Sequence, residues 1–166
     1  SIAVLLILAL SPLRAASKEV VVEVTSIAAA MRPAGEQKPA ADVAFDPRLA
    51  PFSKNLRSLF AYDSYTFLDR TRLAIERGSA LPFKLPEHFS LEVAPQELRD
   101  GDPDMIEMTI TLYREEARRP GQRGGRDLER QVILRTRIRL KNGGTVLLGG
   151  PPIRSGVLVM ALSARG

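Results

Sequence analysis

The sequence predicts a mainly β fold, an antiparallel two-layer β-sandwich (or single sheet) carrying one short amphipathic helix near residues 47–60. Three observations lead there. Polar and apolar residues alternate through most of the chain, the period-two pattern of strands with one wet face. Helical spacing is confined to the stretch around "DPRLAPFSKNLRSLFAY". No strand–helix–strand rhythm of the kind that builds a parallel sheet is present.

The chain has 166 residues, one domain's worth, and opens "SIAVLLILALSPLRAASKE". An apolar run from Ile2 to Leu10 is followed by Pro12 and the small residues Ala15, Ala16 and Ser17. This reads as the apolar and cleavage regions of a secretory leader over residues 1–17, without its initiator Met and basic start. An uncleaved anchor beginning further upstream is the alternative. Residues 18–166 are then a single mainly-β domain, exported to a periplasmic or extracellular place. With the leader cleaved, no stable transmembrane span is expected, since nine residues fall short of the roughly 20 that a bilayer core requires.

"KEVVVEVTSIA" sets Val20, Val22 and Val24 on one side and Glu19, Glu23 and Thr25 on the other, a strand. The Pro- and Ala-rich stretch after Met31 has no period and reads as a loop. In the helix, Asp46 suits the cap and Pro47 the first position. Leu49, Phe52, Leu56, Leu59 and Phe60 share its apolar face, and Pro51 weakens its first turn. "SYTFLDRTRLAIERG" then carries Tyr65, Phe67, Leu73 and Ile75 in one phase. "HFSLEV" groups Phe89, Leu91 and Val93, and "MIEMTITLYREE" groups Ile106, Met108, Ile110 and Leu112. "SGVLVMALSA" is apolar at nearly every position, as expected of a central strand covered on both faces.

"RQVILRTRIRLKNGG" places Val132, Leu134, Thr136, Ile138 and Leu140 on one face, with Ile133, Arg135, Arg137, Arg139 and Lys141 on the other. A phosphate-binding loop would follow an apolar strand and open a helix; here the strand is cationic and the residues after the glycines are strand-like again. Asn142-Gly143 predicts a two-residue hairpin turn, with Leu140 opposite Thr145 and Ile138 opposite Leu147. Gly149-Gly150-Pro151-Pro152 predicts a second turn into the last strand.

"LKNGGTVLLGGPP" followed by "GVLVMALSA" resembles the strand–turn–strand near the C-terminal end of bacterial secretin domains. The order of elements, with "FDPRL", "LFAYDSY" and "NGGTVLLGGP", resembles small uncharacterised exported bacterial proteins. The resemblance implies β-architecture and an envelope location, and it transfers no catalytic residue.

The totals exclude several chemistries. There is no Cys, which removes disulfides, zinc-thiolate sites, a Cys nucleophile and lipoprotein acylation. His88 is the single histidine, and no nucleophile-elbow or Ser-x-x-Lys pattern occurs. Asp100, Asp102 and Asp104 are spaced like the start of a calcium loop, but the glycine and distant glutamate of such a loop are missing. No enzyme, cofactor or metal is therefore expected.

The net charge of +5 favours anionic partners. Two features carry it. Arg118, Arg119, Arg123 and Arg126 sit in a Gly- and Pro-rich connection, either an anion-binding loop or a solvated link between strands. Arg135, Arg137, Arg139 and Lys141 form a regular cationic face. It is an ion-pair ladder if Glu107 and Glu115 lie opposite, and an anion-binding surface if they do not. The expected function is a non-enzymatic module acting through contacts with other envelope proteins. The alternative is binding of an anionic polymer: acidic polysaccharide, lipid headgroups or, least in keeping with export, nucleic acid.

Overall fold

The computed structural model describes residues 19–31, 43–97, 102, 104–116 and 129–166. The leader-like segment 1–17 and the loop around 32–42 lie outside the described residues. In chain order the elements are β1 (Glu19–Ala30), β2 (Ala44–Phe45), a 3-10 turn (Pro47–Phe52) continuing into α1 (Ser53–Leu59), β3 (Ser64–Glu76), β4 (Leu81–Leu85), β5 (Phe89–Pro95), β6 (Met105–Glu116), β7 (Glu129–Lys141), β8 (Thr145–Ile153) and β9 (Gly156–Arg165). One sheet is ordered β2-β3-β1-β9-β8 and the other β4-β5-β6-β7. The fold is the mainly β sandwich with one short helix that the periodicity predicts.

The core lies between the sheets. Val20, Val22 and Val24 of β1 and Leu158, Met160 and Leu162 of β9 face Leu91 and Val93 of β5 and Met108, Ile110 and Leu112 of β6. Burying each such side chain contributes about 1.5–3 kcal/mol. A smaller cluster lies on the opposite face of the five-stranded sheet. There Leu49, Phe52 and Leu56 cover Ile27, Ala29, Tyr65, Val159 and Ala161. β9, paired with β1 on one side and β8 on the other, is thus buried on both faces, as its unbroken apolar run predicts. β1 and β9 are antiparallel, with Val21 opposite Arg165 and Ala29 opposite Val157.

The helix is seeded as its sequence suggests. The Asp46 carboxylate accepts from the Arg48 backbone N–H at 3.0 Å and is gripped by the Arg48 guanidinium at 2.7 Å. Pro51 removes a donor, and the first turns wind as 3-10 before α1 begins at Ser53. Leu59 departs from expectation: it is 64% exposed. The chain turns extended at Phe60, and the Phe60 ring packs on the sheet instead. The Tyr65 hydroxyl donates toward the carbonyls of Leu56 (3.2 Å) and Phe60 (3.0 Å), fixing the end of α1, and burial raises its pKa. Tyr65→Phe is expected to cost about 1 kcal/mol in chemical denaturation, the net worth of a buried neutral hydrogen bond.

Arg48 hydrogen bonding lowers the Asp46 pKa from 3.8 to about 2. The stabilisation linked to Asp46 ionisation is therefore complete above about pH 4 and is lost as pH falls through about 2. A carboxyl titration of the Arg48→Ala variant followed by NMR should show the Asp46 pKa raised, with the backbone N–H of residue 48 still bound to the carboxylate.

A bulge redirects β3. Ser26 pairs with Asp69 but Ile27 pairs with Phe67, so Leu68 is the extra residue. Tyr65 and Phe67 consequently face the helix while Leu73 and Ile75 face the other sheet, although all four occupy odd positions. The single phase expected for these residues is corrected by that one insertion.

The glycine pairs turn the chain differently from the expectation. Gly144 N–H donates to the Lys141 carbonyl at 2.7 Å, and Gly143 has φ +79°. Asn142 has no positive φ, so the turn is of type II rather than the type I′ of a tight hairpin. A type II turn splays its flanking strands. β7 stays with β6, and β8 joins the other sheet beside β9. The pairings expected for Leu140 with Thr145 and Ile138 with Leu147 do not form; Leu140 pairs with Ile106 and Thr145 with Ser163. Gly149-Gly150-Pro151-Pro152 is not a turn either. It remains in β8, an edge strand where missing proline donors are tolerated, with an irregularity between Gly149 and Pro152. The reversal into β9 comes at Arg154-Ser155, where the Glu87 carboxylate accepts the Arg154 N–H at 2.8 Å.

Candidate functional site

β7 is the feature left over once the core and turns are accounted for. Its thirteen residues form the last strand of the four-stranded sheet, and among the described residues no strand pairs with its outer edge. β6 holds the inner edge: Ile106 meets Leu140, Met108 meets Ile138, Thr109 meets Arg137, Thr111 meets Arg135 and Leu112 meets Leu134. The register then shifts, Tyr113 meeting Val132, so Ile133 is bulged out of the ladder.

The alternation legible in the sequence holds along the second half of the strand. Arg135, Arg137, Arg139 and Lys141 are all exposed, while Leu140 is buried and Thr136 and Ile138 are half-buried. The first half is corrected. Val132 and Leu134, expected on the dry face, are 54% and 39% exposed, and Ile133 is 41% exposed. The bulge and the position of these residues on an unpaired edge leave three consecutive apolar side chains open to water. Nothing in the local pattern signals the bulge; an apolar triplet in a strand reads equally well as core.

The cationic face has one described carboxylate within ion-pair reach. Glu107 lies directly across from Arg139 but bonds the neighbouring Arg137 at 3.4 Å. Arg135 and Lys141 lie across from Thr111 and Met105. Glu115 pairs with Arg130, at 3.5 Å, and so serves the other end of the strand. The ladder alternative is therefore realised at one rung. Exposed pairs of this kind contribute about 0–1 kcal/mol, so the row is poorly explained as a stabilising device.

Arg118, Arg119, Arg123 and Arg126 lie outside the described residues, as does Asp100. Asp102 forms a turn: its carboxylate accepts the Asp104 N–H at 3.0 Å and its carbonyl accepts the Met105 N–H at 3.0 Å. Among the described residues no group of three or more His, Asp or Glu side chains is placed to hold a metal. His88 sits in the tight β4–β5 turn with φ +66°, its carbonyl accepting the Glu115 N–H at 2.7 Å. No described helix is long and apolar enough to cross a membrane.

No protein-family model matches the chain, and no curated protein matches it. Among solved structures, the cryo-EM structure of the type II secretion system secretin XcpQ from Pseudomonas aeruginosa aligns with 88% of this chain at 14% identity and a TM-score of 0.27. The chain spans 56% of that secretin's length, and a score of this size does not establish a common fold.

Proposed function

We propose that this chain is a non-enzymatic, exported module of the bacterial cell envelope that acts through protein–protein contacts, and that β7 is its contact surface. The observation that carries the proposal is the outer edge of β7, which no described strand pairs and where the exposed side chains of Val132, Ile133 and Leu134 lie together. A free, partly apolar strand edge is a template for another chain, and soluble proteins ordinarily shield it. The leader-like composition of residues 1–17 supports export. Placement of His88 in a turn and of Asp102 at a strand entry supports structural duties for these two titratable residues.

A photo-crosslinking residue at Ile133 should capture protein partners in cells, whereas one at Lys54, exposed on α1, should not. Equal capture from both positions, or none from Ile133, overturns the reading. A second reading, binding of an anionic polymer, is favoured by the row Arg135, Arg137, Arg139 and Lys141. It predicts binding that collapses between about 50 and 200 mM salt, because each cation–anion contact releases a counterion. A contact with an apolar centre persists over that range.

A further inference from the structure

The two faces of β7 specify the chemistry of a partner. From Leu134 to Lys141 one face carries Arg135, Arg137, Arg139 and Lys141, and the other carries Leu134, Thr136, Ile138 and Leu140. An incoming strand would set its own side chains alternately beside these two rows. Building on the proposal that β7 is the contact surface, we infer that β7 accepts, by strand addition, an extended segment of another protein in which acidic residues alternate with apolar, β-branched ones.

Charge complementarity carries this choice of occupant. Glu107 engages Arg137, while Arg135 and Lys141 face Thr111 and Met105 across the ladder. Against the described carboxylates the row therefore retains positive charge that an added strand can meet with its own. A second copy of this chain suits the edge badly. Antiparallel pairing of β7 with β7 sets two cationic rows side by side, and like charges in adjacent positions oppose pairing. Cations on an edge strand are one of the ways proteins suppress self-association. A polyanion without a strand would satisfy the guanidinium groups but leave the backbone edge and the exposed Val132, Ile133 and Leu134 unused. An acidic strand engages the charge and the backbone edge together, and its apolar row lies beside the apolar residues.

The test uses capped octapeptides with the full chain. One alternates Glu and Val; a second has the same composition with the glutamates in one block; a third alternates Lys and Val. The alternating Glu-Val peptide is expected to bind and to slow amide hydrogen exchange over residues 134–141. The block and Lys-Val peptides should bind at least about tenfold more weakly. The Arg135→Glu/Lys141→Glu variant should lose the preference for the Glu-Val peptide, because its row then carries two carboxylates beside Arg137 and Arg139. Equal affinity for the block peptide, or for heparin with the β7 amides left unprotected, overturns the inference in favour of a polyanion. Protection of β7 by concentration-dependent self-association without peptide overturns it in favour of a second copy. A variant that still prefers the Glu-Val peptide overturns it outright. If that variant fails to fold, the comparison of alternating and block peptides on the parent chain still decides. Failure here with crosslinking from Ile133 retained refutes only the acidic chemistry; loss of that crosslinking refutes β7 as the contact surface.

Discussion

Gly156→Ala is expected to destabilise the protein by about 3 kcal/mol or more, lowering the thermal midpoint by roughly 10 °C. Gly156 has φ +135°, a conformation that residues with a side chain rarely adopt. A β-carbon there would collide with the Ala29 carbonyl oxygen and come within 2.9 Å of the Ala29 carbonyl carbon and 3.1 Å of the Ala30 β-carbon. These atoms belong to β1, the central strand, and cannot move without disturbing its ladders with β3 and β9. Gly149→Ala provides the contrast. Its nearest neighbour would be the Phe60 ring at 3.6 Å, an ordinary contact, and φ there is not positive. Thermal unfolding of the two variants side by side should show a large loss for Gly156 and a shift of no more than about 2 °C for Gly149.

Leu162→Ala should cost about 2–5 kcal/mol in urea denaturation, because Leu162 is fully buried at the centre of the sandwich and its removal leaves a cavity. Ile133→Ala deletes a comparable amount of hydrocarbon from a side chain that is 41% exposed on the β7 edge. Its expected cost is less than about 1 kcal/mol. A loss of partner capture in the Ile133 variant without loss of stability would separate the interaction edge from the core.

The elements themselves were legible because each rests on a short-range pattern. Val20, Val22 and Val24 announce β1, the unbroken run Val157–Leu162 announces a strand covered on both faces, and Asp46-Pro47 announces the helix start. The short strand β4 was missed, since Pro82 and Pro86 bracket its alternating Phe83 and Leu85 and read as breakers. What the pattern could not convey were the single-residue insertions. Leu68 and Ile133 each shift a register by one, and alternation on either side of a bulge looks continuous when only residue types are compared. The pairing of β7 with β8 failed for a related reason. Asn142-Gly143 serves both a type I′ and a type II turn, and the two differ in the sign of φ at Asn142, which tertiary packing decides.

For the candidate site, the row of cations was legible and its chemical setting was not. The sequence places Arg135, Arg137, Arg139 and Lys141 on one face, but the scarcity of facing carboxylates depends on the β6 register, which brings Thr109, Thr111 and Met105 opposite them and a single Glu107. The openness of the edge is a property of strand order. The type II turn that sends β8 to the other sheet is what leaves β7, among the described residues, with β6 on one side and no strand on the other.

The pairing of Val21 with Arg165 has a mechanical corollary. Tension applied between the start of β1 and the finish of β9 acts along the ladder's hydrogen bonds, which run perpendicular to the strands. The bonds are then loaded one after another from that end, as in a zipper, rather than all together in shear. A module held by these two points should open at low force, beginning with the very strands that form its centre.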